Sequence, residues 1–124
     1  MRTTTPLRLL GVLGLLVAGV VVGTAAVLLH GLWWGFALAL ATGVASVLAL
    51  PPGLATRVPF AGGWTLAVVV LMLPRAEGDY LVGGDLRGYG VLGFTAALLL
   101  LAMATVPARG RGASAGAADA APPR

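Results

Sequence analysis

The stretch PRAEGDYLVGGDLRGY, Pro74–Tyr89, decides how this chain is read. It holds Glu77, Asp79 and Asp85, three of the four acidic residues in the sequence, with Arg75 and Arg87 toward its edges. On both sides the chain turns almost wholly apolar. A short polar island between charge-free runs is the pattern of a water-exposed loop in a membrane protein. Three apolar runs precede the island and one follows it.

Composition supports this reading. Of 124 residues, 59% are hydrophobic and 10% charged, and the mean hydropathy is +0.99. Soluble domains carry about 25% charged residues, so this chain cannot clothe a water-facing surface. Its net charge of +4 comes from arginines scattered between apolar runs, and these form no basic face for a nucleic acid. Cysteine is absent, which excludes disulfides, thiolate metal sites and Cys nucleophiles.

The apolar runs are Leu9–Leu29, Leu32–Leu50, Val58–Leu73 and Gly88–Val106. About 20 helical residues cross roughly 30 Å of hydrocarbon, and the first run meets that length without a charge. Its basic start and the small residues at Gly23–Ala26 also suit a signal peptide. Apolarity continuing through Val27, Leu28 and Leu29, with no soluble domain after it, favours a retained helix. Gly31 suits a helix end, and Pro51–Pro52 stops the second run because proline lacks the amide donor.

The third run is short. Either its helix begins nearer Leu54 with Arg57 snorkelling to the headgroups, or it sits deep in the bundle under a thinned bilayer; a re-entrant segment is the third option. Asp85 is read as the N-cap of the fourth helix, with a tight hairpin at Gly83–Gly84 as the alternative.

The expected fold is therefore an all-α membrane protein with four transmembrane helices. Residues 1–106 form that domain, with an external loop at 74–87. The tail, 107–124, lacks large apolar side chains and is expected to be a disordered cytoplasmic segment.

Charge orients the spans. One side receives Arg2, Arg8, Arg57, Arg109, Arg111 and Arg124, with Asp119 as its only acid; the other receives Arg75 and Arg87 beside three acids. Positive residues stay in the cytoplasm, so both termini are expected inside, in the cell membrane. Trp33, Trp34, Tyr80 and Tyr89 then fall near the outer boundary, and Phe60 and Trp64 near the inner one, as aromatic belts require.

Lipid removes the hydrophobic drive between helices, so small residues must let backbones approach. Candidates are Gly19 and Gly23 in the first helix and Gly93 and Ala97 in the fourth. The second offers two stripes, Ala37/Ala41/Ala45/Ala49 and Gly31/Gly35/Ala39/Gly43. The first two helices are expected to pair through such faces. The hydroxyls of Thr24, Thr42, Ser46, Thr65, Thr95 and Thr105 are expected to bond back to their own helices and to mark no site.

Candidates for chemistry are few. No apolar run contains Asp or Glu, whereas small four-span multidrug exporters, similar in size, rely on a membrane-embedded carboxylate. His30, the single histidine, lies at the outer end of the first helix. Its two readings are a pH sensor and, more simply, an interfacial ring satisfied by water or a helix-end carbonyl. Glu77, Asp79 and Asp85 could offer oxygen ligands to a hard cation. Their spacing matches no EF-hand loop, and Arg75 and Arg87 compete for the same carboxylates. Those three acids and His30 are the candidate functional residues. No catalytic, cofactor or metal residue is assigned.

The segment PRAEGDYLVGGDLRGYG, through Pro74, Glu77, Gly78, Asp79, Asp85, Gly88 and Tyr89, resembles a family of small actinobacterial four-span membrane proteins of unknown function. The resemblance implies a cell-membrane location and no catalytic residue. The favoured function is a non-enzymatic accessory or scaffold subunit acting through helix–helix contacts. The expected partners are the lipid bilayer and a membrane protein or further copies of this chain. A small oligomeric transporter or channel subunit, lined by Thr42, Ser46 and Thr95, is the alternative. A membrane enzyme using the loop carboxylates ranks third.

Overall fold

The computed structural model describes residues 4–74, 78 and 84–107. These hold four helices: α1 (Thr4–Leu29), α2 (Trp33–Ala49), α3 (Arg57–Met72) and α4 (Leu86–Ala104). Each falls on one of the apolar runs. Among the described residues there is no strand. Two of the helices, α1 and α4, are long and apolar enough to cross a membrane. The 26 residues of α1 extend about 39 Å at about 1.5 Å per residue. The shorter helices α2 and α3 have 17 and 16 residues.

The helix ends follow from local chemistry. Helix α1 starts before Leu9 because Pro6 lies in its first turns, where a missing amide costs nothing. It closes in a turn at His30–Gly31, where the Leu32 amide donates to Leu29 O at 3.0 Å. Leu50, extended at φ −79° and ψ 135°, ends α2 immediately before Pro51–Pro52. The start of α3 near Leu54 is not observed: Leu54–Thr56 is a turn, and Arg57 opens the helix. Asp85 caps α4, its Oδ1 accepting from the Gly88 amide at 3.0 Å.

Contacts at the two ends show that the helices alternate in direction. At one end, Arg8 of α1, the 52–56 turn and Val106–Pro107 after α4 line a common cavity. At the other, Arg87 of α4 reaches the α1–α2 turn.

The core lies around α3, where Pro59, Phe60, Ala61, Gly63, Trp64, Ala67 and Val68 are buried. Of the options for this short segment, the structure has it packed deep against its neighbours. Two sequence expectations are corrected here. Trp64, with 0% of its surface exposed, and Phe60 are core residues and form no interfacial belt. The main partner of α1 is α3, not α2.

The α1–α3 contact is backbone against backbone. A Cβ on Gly19 would lie 2.0 Å from Phe60 O, and one on Gly63 would lie 2.0 Å from Leu16 O. Adding a C–C bond of about 1.5 Å, each glycine Cα lies within roughly 3.5 Å of the facing carbonyl, the range of Cα–H···O contacts. Gly23 continues the seam, where a Cβ would lie 2.9 Å from Trp64 O.

Rings over glycines join α2 to α4. Phe94 covers Gly43, and Phe36 covers Gly90. Phe94 also meets Trp64, their centroids 5.4 Å apart and their planes tilted by 59°, which avoids an unfavourable face-to-face stack.

Of the two stripes on α2, Gly35, Ala39 and Gly43 are buried with Val47. Ala37, Ala41, Ala45 and Ala49 face outward. In α4 the expected Gly93 and Ala97 are exposed, and Gly88, Val91, Thr95, Leu98 and Ala102 form the packed face.

Candidate functional site

Among the described residues the charged side chains lie at the two ends of the bundle, and one pair of polar side chains is bonded together in its core. One end carries His30 and Asp85, two of the four residues singled out from the sequence. Asp85 is exposed, and its carboxylate serves the start of α4, where unpaired amides and the helix dipole favour an anion. Two residues on, Arg87 Nη1 donates to Gly31 O at 2.5 Å. Arg87 sits unfavourably for the α4 dipole, but it satisfies a turn carbonyl that no helix amide reaches. This bond ties α4 to the α1–α2 turn.

His30, half-buried beside that carbonyl, donates through Nδ1 to Val27 O, near the C-terminal end of α1. His30 and Asp85 therefore occupy the same end of the molecule, each bonded within its own segment. Glu77 and Asp79 lie outside the described residues, as do Arg75 and Tyr80. The tail from residue 108 onward lies outside them too. Among the described residues no group of three or more His, Asp or Glu comes together.

At the opposite end, Arg57 Nε donates to Leu50 O at 2.9 Å. The arrangement repeats that of Arg87: an arginine in the first turn of one helix satisfies a carbonyl at the end of an earlier one. The Thr56 hydroxyl reaches Pro51 O at 2.5 Å and Gly53 O at 3.2 Å, closing the turn. Beside this turn lies a cavity of about 490 Å³, lined by Arg8, Pro52, Leu54, Thr56, Val106 and Pro107 among others. A shallower groove of about 220 Å³, lined by Thr5, Arg8, Leu9 and Val12, shares Arg8 with it. Sequence reasoning missed this place, because its lining comes from three separated segments.

In the core, Trp64 Nε1 donates to Thr95 Oγ1 at 3.0 Å, and that hydroxyl donates to Val91 O at 2.8 Å. Thr42, Thr65 and Thr105 do bond back to Leu38 O, Ala61 O and Leu101 O. Thr95 does so as well, but it is also the buried acceptor for an indole on α3. The expectation that these hydroxyls serve only their own helices is therefore corrected at Thr95, and the Thr24 and Ser46 hydroxyls show no such back-bond. The signal available in advance was a tryptophan near mid-helix: a buried indole N–H must find an acceptor.

Thr42 is exposed, Ser46 half-buried and Thr95 buried. Among the described residues the arrangement is one of caps, ties and close seams, with the exposed Arg8 guanidinium at a cavity mouth. No family model, curated protein or solved structure matches the chain.

Proposed function

We propose that the chain is a four-span integral membrane protein working without catalysis, as an accessory or scaffold subunit that acts through helix–helix contacts. Both termini and the Arg8 end lie in the cytoplasm, and the 74–87 loop lies outside. The observation that carries this reading is the outward surface. Large apolar side chains are exposed on all four helices, among them Leu7 at 71%, Trp33 at 74%, Leu66 at 52% and Leu86 at 89%. Soluble monomers rarely expose continuous apolar surface beyond a few hundred Å². In lipid the same surface is in its preferred solvent, and the Asp85 cap and the Arg57 and Arg87 ties lie at helix ends rather than along the apolar faces.

Contact with a partner is favoured by α2. Its packed face is Gly35, Ala39, Gly43 and Val47, and it is held less extensively than α1 and α3 hold each other. That leaves Ala37, Ala41, Ala45 and Ala49 along an outward stripe on which a second helix can lie closely.

Because the chain has no cysteine, single-cysteine variants test this cleanly. Asp79→Cys should be labelled by a membrane-impermeant maleimide from outside intact cells, and Gly53→Cys only after lysis. Ala41→Cys should cross-link to a neighbouring protein in native membranes. Labelling of residue 79 only from the interior would overturn the topology. Capture of nothing but monomer at Ala41 and at Ala45 would remove the accessory reading.

A further inference from the structure

We propose that the cavity at the Arg8 end, together with the groove that meets it at Arg8, binds one anionic phospholipid. The proposal rests on the four-span membrane reading. Arg8 lines both spaces, and it is exposed. A guanidinium offers five donors in a fork that matches phosphate oxygens. Of the other polar groups nearby, Thr56 closes its own turn and Arg57 Nε holds Leu50 O, while the neutral Thr5 hydroxyl lines the groove beside Arg8. Asp85, the one acid among the described residues, caps α4 at the far end. Among the described residues the cavity mouth is therefore positive, and it calls for an anion.

The remaining lining calls for hydrocarbon. Pro52, Leu54, Val106 and Pro107 wall the cavity, and Leu9 and Val12 continue the groove along α1. A free phosphate would use the guanidinium and leave these walls unoccupied. A phospholipid uses both, with its phosphate on Arg8 and an acyl chain along Leu9 and Val12. Depth agrees with this. From Leu29 back to Arg8 is about 31 Å of helix at about 1.5 Å per residue, close to the roughly 30 Å of bilayer hydrocarbon. With the outer end of α1 at one boundary, Arg8 lies at headgroup level on the other. The cavity volume of about 490 Å³ falls within the roughly 300–1,000 Å³ typical of small-ligand sites. Basic pockets between helices on the cytoplasmic side are suited to such headgroups.

The test is native mass spectrometry of the full chain in mild detergent, titrated with phosphatidylglycerol or phosphatidylcholine. Phosphatidylglycerol should be retained in preference to phosphatidylcholine. Arg8→Gln should weaken its retention about fivefold, the loss expected for one interfacial arginine, and abolish the preference, while Arg8→Lys keeps part of it. Arg87→Gln, at the opposite end, should leave both unchanged.

Equal retention of the two lipids, or an Arg8→Gln variant that binds as the parent does, overturns the proposal. So does displacement by glycerol phosphate at equal concentration, which would make the ligand a soluble anion. Loss of the preference in Arg109→Gln/Arg111→Gln but not in Arg8→Gln would move the site to the tail. Failure of the membrane reading is separately visible, because the protein would then remain in the supernatant after ultracentrifugation without detergent.

Discussion

The close α1–α3 seam makes one prediction sharp. In Gly63→Ala the new Cβ would stand 2.0 Å from Leu16 O and 3.0 Å from the Val20 amide nitrogen. Ordinary contact begins at 3.4 Å, so the Leu16 carbonyl must recede by about 1.4 Å (3.4 minus 2.0) from the packed position. The obstacle is helix backbone, which cannot swing aside as a side chain can. Overpacking of this kind costs about 1–3 kcal/mol, and lost Cα–H···O contacts add about 0.5–1 kcal/mol each. Against this, Ala gains up to about 1 kcal/mol over Gly in helix propensity.

The net expectation is destabilisation by about 1–3 kcal/mol. Gly62→Ala makes the same chemical change one residue away, where nothing lies within 4 Å. It should be neutral or stabilising by up to about 1 kcal/mol. Reversible unfolding of both variants in mixed detergent and SDS micelles, followed by circular dichroism and tryptophan fluorescence, measures the difference. If Gly63→Ala proves as stable as Gly62→Ala, the backbone seam is not what holds α1 to α3.

Two further substitutions probe the polar ties. Thr95→Val keeps the side-chain shape but strands the buried Trp64 indole N–H, and should cost about 1–3 kcal/mol; Trp64→Phe costs stability of its own through the core cavity it leaves, and the double variant should lose less than the sum of the two, so that strict additivity in the same unfolding assay would argue against the bond. Asp85→Ala should lose about 0.5–2 kcal/mol of N-cap stabilisation, whereas Asp85→Asn should stay within a few tenths of the parent, since asparagine caps as well; equal losses in the two variants would point to charge rather than capping.

Much of the local structure could be read from residue order. Prolines at 51, 52, 74 and 107 bound the apolar runs because they cannot continue a helix. Asp85 stood where α4 needed an acceptor, and it caps that helix. The order of the four apolar runs puts His30 and Asp85 at one end of the bundle, and the Arg87 bond to Gly31 O brings their two segments together. The cavity at Arg8 could not be found in this way, since its walls are separated by tens of residues along the chain.

Sequence alone thus settled that the described chain is helical and roughly where each helix stops, because apolar run length and proline chemistry act within a few residues. It left open which face of each helix meets which neighbour. These helices are apolar all round, so no polar side marks the outside, and Ala and Gly recur at four-residue spacing on several faces. The choice fell to shape between distant segments. Gly19 and Gly63 admit the facing backbone, Gly43 and Gly90 admit a phenyl ring, and Trp64 finds its acceptor on α4. Such fits exist only when two helices are already side by side, which is why the α1–α3 pairing and the burial of Trp64 belong to the tertiary structure.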